Sequence, residues 1–77
     1  MENADEMFLR LGYTRIVRSK TICIYSTGFE QIILRDNKAE SFVVKRLIHP
    51  ERPRLNLLAD EVLACAQLIN EMRKEKE

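Results

Sequence analysis

The last third of the chain, Leu55 to Lys76, carries the periodicity that most constrains the fold. Leu58, Val62, Cys65, Ile69 and Met72 recur at intervals of four, three, four and three residues, a spacing that keeps side chains on one face of a helix. This is the expected core stripe. Leu55, Ala59, Leu63 and Ala66 fall on one flank of it, and Leu57, Ala64 and Leu68 on the other. Asp60, Gln67, Asn70, Glu71, Lys74 and Glu75 hold the polar sector. A helix lying on a small sheet needs an apolar arc of little more than ~100°, and this one approaches twice that, so a second contact is expected. Loops and an N-terminal helix could supply it, or a second copy in a symmetric dimer through Ala59, Leu63 and Ala66. Pro53 stops the preceding chain, Asn56 is the expected cap, and Asp60 and Glu61 suit the positive end of the helix dipole.

The 77 residues make one small domain, near the size at which a single core supplies only about 3–5 kcal/mol, so a homodimer is the expected assembly. Charges of both signs are mixed with enough Ile, Leu, Val and Phe to build a core. No apolar run approaches the ~18 residues of a membrane span, and the N-terminus has no basic segment followed by an apolar one, so a soluble, cytoplasmic protein is expected. Cys23 and Cys65 fall in apolar patterns without CxxC or Cys/His spacing and read as core thiols.

Asn3 is placed to cap a first helix, with Glu6 in the capping-box position and Ala4, Met7, Phe8 and Leu11 at helical spacing. Gly12 ends it. From Thr14 to Ile48 the helical period gives way to β-branched and aromatic residues interrupted by turn signals at Ser19-Lys20, Ser26-Thr27-Gly28 and Asp36-Asn37-Lys38. Four strands result, 14–18, 21–25, 29–35 and 41–48, and such short connections predict an antiparallel meander. His49-Pro50-Glu51-Arg52-Pro53-Arg54 reads as a loop, because each proline removes a ladder donor. The expected fold is therefore a two-layer α+β domain: helix over 1–12, four-stranded antiparallel sheet over 13–48, loop over 49–54, and a long amphipathic helix with a frayed tail over 55–77, packed on one sheet face. Phe8, Leu11, Ile22, Ile24, Ile33, Val43, Val62, Cys65 and Ile69 are the expected core.

Residues that carry chemistry are sparse. His49, the only histidine, lies beside Pro50 with no partner placed near it. Asp5-Glu6 and Asp60-Glu61 stand at helix starts, where the helix dipole accounts for them. The serines and threonines are turn formers without a GxSxG elbow, and two glycines cannot build a phosphate loop. No catalytic, cofactor or metal site is read from the sequence, and an enzyme is not expected.

The formal charge of +1 conceals a segregation. Residues 1–9 hold three acids and no base, residues 10–54 ten bases against four acids, and residues 55–77 three bases against five acids. A basic middle can be a solvated sheet face or a surface for an anionic partner. In the second case Arg15, Arg18, Lys20, Lys45, Arg46, Arg52 and Arg54 would neutralise phosphates, with Arg35 and Lys38 nearby and Tyr13, Tyr25 or Phe42 as stacking candidates. Nucleic-acid binding through this basic sheet and the 49–54 loop is the alternative to a protein-interaction role.

Asn3-Ala4-Asp5-Glu6-Met7-Phe8 with Leu11-Gly12-Tyr13, then Ile32-Ile33-Leu34 running into Asp36-Asn37-Lys38, then a closing helix, resembles short uncharacterised proteins of phages and prophages of Gram-positive bacteria. The proline-containing basic loop and the Leu- and Ala-rich terminal helix depart from that pattern. The resemblance carries over no functional residue. It implies a bacterial host cytoplasm and an accessory, non-structural phage role, such as modulation of a host or defence protein.

Overall fold

The computed structural model describes residues 2–35, 38–45, 49–54 and 56–76, with side chains left aside at 44, 45, 49–51 and 76. The chain forms an α+β domain in the order α1 (Ala4–Arg10), β1 (Thr14–Arg18), β2 (Ile22–Ser26), β3 (Glu30–Arg35), β4 (Lys38–Lys45), β5 (His49–Pro53) and α2 (Ala59–Lys76). The five strands make one antiparallel sheet in sequential order, with the helices on one of its faces.

The start and end of α1 follow from its sequence. Asn3 Oδ1 accepts from the Glu6 amide at 2.9 Å while Glu6 Oε1 accepts from the Asn3 amide at 3.2 Å, a complete capping box. At the other end Gly12 takes φ +90°, which lets the Tyr13 amide bond back to the Phe8 carbonyl and the Gly12 amide to that of Leu9. Tyr13 thereby turns inward, and Phe8 meets it edge-on at 5.7 Å and stacks on Tyr25 at 4.1 Å.

Three expectations are corrected. The 49–53 stretch is a fifth strand, paired with β4 in the register Phe42↔Pro53 and Val43↔Arg52, and not a loop. Prolines are compatible with it because β5 is an edge strand, with one side of its ladder unused. The terminal helix begins at Ala59, and its first turn is capped by Glu61, whose Oε1 accepts from the Leu58 amide at 2.8 Å, rather than by Asn56. Leu55 lies outside the described residues.

The third correction is the core. Cys23, Tyr25, Ile32 and Leu34 face the helices, so Ile22, Ile24 and Ile33 lie half-buried on the opposite sheet face, outside the core cluster; Val43, on the helix side, is half-buried as well. Row pairing gives the reason: the Ile22 row continues into Arg35 and Lys38, and Ile33 pairs with Glu40, so burying that face would bury three charged side chains. On α2 the buried stripe is Glu61, Ala64, Cys65, Leu68 and Met72, rotated by about 60° from the expected one at 3.6 residues per turn. Val62 and Leu58 are 50% and 64% exposed, whereas Phe8 and Cys65 are buried as expected and Leu11 and Ile69 pack at the core margin.

Candidate interaction surfaces

The rotation of α2 originates in a buried ionic cluster. Glu61, 2% exposed, lies on the inner face and receives Arg54 Nη1 at 3.0 Å, Arg54 Nη2 at 3.1 Å and the Tyr13 hydroxyl. Arg54 also reaches Glu30 at 2.8 Å through Nε and Ser41 Oγ at 3.0 Å through Nη1. Burial opposes ionisation of Glu61, but the hydrogen bonds from Arg54, Tyr13 and the Leu58 amide outweigh it and hold the carboxyl below its usual range. Burial, reinforced by the Glu61 charge, pushes the Tyr13 phenol up. Every donor and acceptor of the cluster joins elements of the fold: the β5–α2 connection, the starts of β1 and α2, and strands β3 and β4. Its chemistry is that of a structural clamp.

With Glu61 turned inward, the outer face of the first half of α2 is apolar. Leu58, Val62 and Leu63 are 64%, 50% and 57% exposed, and Ala59 and Ala66 lie exposed between them. No charged residue interrupts this arc, whereas Asn70, Arg73 and Lys74 take over the outer face in the second half. The three residues singled out from sequence, Ala59, Leu63 and Ala66, thus lie on one exposed surface. Leu58 and Val62 belong to it as well, although periodicity assigned them to the core. Beside the arc, Met7, Arg10 and Leu11 of α1 and Asp60 and Leu63 of α2 line a groove of about 250 Å³.

The second apolar surface is the outer face of the sheet. Val17, Ile24 and Ile33 stand in one cross-strand row, with Ile22 and Phe42 in the neighbouring rows. None of them joins the core under the helices.

The basic residues do not converge on one surface. Arg15 pairs with Asp5 at 2.9 Å, Arg18 with Glu75 at 3.0 Å, and Arg54 is enclosed by Glu61 and Glu30. Lys20 and Arg52 remain exposed together with Arg35 and Lys38. Arg46 and the side chain of Lys45 lie outside the described residues. Tyr13 and Tyr25 are 2% and 1% exposed and belong to the core.

Cys23 and Cys65 are buried free thiols, Cys23 Sγ lying 3.6 Å from Met72 Sδ, and burial first, then the Glu61 charge, pushes the Cys65 thiol up to about 11. Among the described residues no group of His, Cys, Asp or Glu could hold a metal ion, and no helix is long and apolar enough to cross a membrane. Comparison with protein-family models, curated proteins and solved structures finds no match to this chain.

Proposed function

We propose that this protein is a non-enzymatic protein-interaction module. The observation that carries this reading is that both layers present apolar side chains to solvent, Leu58, Val62 and Leu63 from α2 and the Val17–Ile24–Ile33 row from the sheet. Exposed apolar patches of this kind mark surfaces that a partner covers. The resemblance of its first dozen residues to phage and prophage proteins supports a bacterial cytoplasm as the setting and a host or defence protein as the target. The buried ionic cluster is directed inward and serves the scaffold.

Affinity capture from nuclease-treated host lysate tests the reading. A protein retained by the wild type should be lost with Val17→Asp or with Leu63→Asp, while circular dichroism shows both variants folded. No retained protein, or retention indifferent to both substitutions, refutes it.

Nucleic-acid binding is the second reading, favoured by the exposed bases Lys20, Arg35, Lys38 and Arg52. Pairing of the largely enclosed Arg18 and Arg54 within the chain removes two of its phosphate-binding candidates. Micromolar affinity for a random duplex or single strand, with a steep salt slope, would support it, and no binding at low salt removes it.

A further inference from the structure

The outer face of α2 is laid out symmetrically. Ala59 and Ala66 stand at equal distances on either side of the Val62–Leu63 midpoint, so the sequence of sizes along the arc is small, large, large, small. Two such helices packed antiparallel about a two-fold axis through that midpoint would set Ala59 against the partner's Ala66 at both ends. The small residues there let the backbones approach while Val62 and Leu63 interdigitate at the centre.

The charges beside the arc obey the same symmetry. Arg10, on α1, and Asp60, on α2, occupy the margins of the groove that contains Leu63, with Met7 and Leu11 in its walls. Arg10 is largely exposed and reaches only Glu2, at 2.6 Å, and Asp60 is exposed and forms no ion pair among the described residues. A two-fold axis perpendicular to α2 keeps the α1 side of one copy facing the α1 side of the other. Arg10 of each copy therefore comes opposite the partner's Asp60, twice per dimer.

The surface is small. An interface of ordinary size takes roughly 800 Å² from each partner. The eighteen residues of α2 and the seven of α1, at 1.5 Å each and about 10 Å wide, present roughly 370 Å² in projection, so the pairing belongs with the small, weak interfaces.

We infer that the occupant of this face is a second copy of the chain, paired antiparallel through α2, with reciprocal Arg10–Asp60 contacts fixing the register. The inference rests on the reading of the α2 face as a binding surface, and it leaves the outer sheet face of each protomer for the target.

Sedimentation equilibrium tests it. The wild type should be dimeric at tens of micromolar. Arg10→Asp and Asp60→Arg should each weaken association by about tenfold or more, through like charges meeting at the interface, and the double charge-swapped chain should recover most of it. Recovery separates the contact from any harm that Asp60→Arg does to the start of α2, because the second substitution cannot repair the helix. Leu63→Asp, at the apolar centre, should give monomers with unchanged circular dichroism. Single variants as dimeric as the wild type overturn the register. A monomeric wild type overturns the pairing altogether, and if that monomer still captures a target the interaction reading survives on its own.

Discussion

Replacing Glu61 with glutamine perturbs the clamp with almost no change of volume. The substitution removes the charge and turns one of the two oxygens facing Arg54 into an amino group, so one arm of the bidentate pair becomes a donor facing a donor. Removing one partner of a buried ion pair costs about 3–5 kcal/mol, mostly the cost of leaving the other charge buried and unpaired. Arg54 keeps Glu30, whose side chain is 40% exposed and offers only a screened substitute. The expected loss is therefore at the low end, about 3 kcal/mol, out of the ~4–12 kcal/mol that a chain of this length commands. Urea denaturation followed by circular dichroism reads it as a fall in midpoint of about 3 M, for a slope of about 1 kcal/mol/M. Replacing both partners, Arg54→Met with Glu61→Leu, should recover only part of the midpoint, since the apolar pair leaves no buried charge unpaired but strands the Tyr13 hydroxyl and the Leu58 amide that Glu61 accepted. The pH dependence has a definite sign. The folded carboxyl is held below its unfolded value, so its contribution is fully present above about pH 4.3 and is lost as pH falls through the folded value. The gap between wild type and Glu61→Gln should then close only on that acid limb. A midpoint within 0.3 M of the wild type by rough urea-slope accounting, or an unchanged gap in acid, would show that the cluster does not hold the fold together.

Three further outcomes follow from separate contacts. Glu71→Gln should cost about 1–2 kcal/mol and speed hydrogen exchange in α1, because the Glu71 carboxylate accepts from the Ala4 amide at 2.7 Å and from Gln67 at 2.9 Å; unchanged exchange would refute this. Gly12→Ala should cost about 1–2 kcal/mol by denaturation, all of it from the backbone, since a Cβ there meets no atom within 4 Å while φ is +90°, and Gly12→Asn should cost less. A thiol reagent at pH 8 should leave Cys23 and Cys65 unmodified in the native protein and label both in urea, as they are 0% and 5% exposed; rapid native labelling would refute the packing of α2.

The legible parts of the fold were those written in local chemistry. Asn3, Glu6 and Gly12 specify α1 by hydrogen bonds that close within a few residues, and the turns at Ser19-Lys20 and Ser26-Thr27-Gly28 separate the first three strands; of the third turn, Asp36 and Asn37 lie outside the described residues and Lys38 opens β4. What could not be read were the choices made by distant partners. Strand β5 was hidden by Pro50 and Pro53, which forbid an interior strand but not an edge. The buried sheet face was hidden because β2 and β3 are apolar at consecutive positions, Ile22 to Tyr25 and Ile32 to Leu34; Tyr25, stacked on Phe8 and hydrogen-bonded to Asp5, belongs to the side that won. The stripe on α2 was misplaced for a related reason. An apolar count excludes Glu61, and only the arrival of Arg54 and Tyr13 makes that carboxylate an inner residue. Turning Glu61 inward displaced Leu58 and Val62 outward, so the same interaction explains both the error in the core and the size of the exposed surface.

Edges and faces of the sheet are treated in opposite ways. Strand β1, at one edge, is broken by an irregularity between Arg15 and Val17, and β5, at the other, carries Pro53 at one end of its pairing with β4 and Pro50 next to the other. Both devices discourage another strand from adding to the ladder. The faces differ from the edges: on the outer side of the sheet Val17, Ile24 and Ile33 form an apolar row that ends at Glu40 and has Arg35 and Lys38 beside it, and Leu58, Val62 and Leu63 form an uncharged arc on the back of α2. Arg15, Arg18 and Arg54 are engaged with Asp5, Glu75 and Glu61, fastening strands and loops to helices. What the surface offers is therefore side-chain packing across faces, with backbone pairing at the edges discouraged.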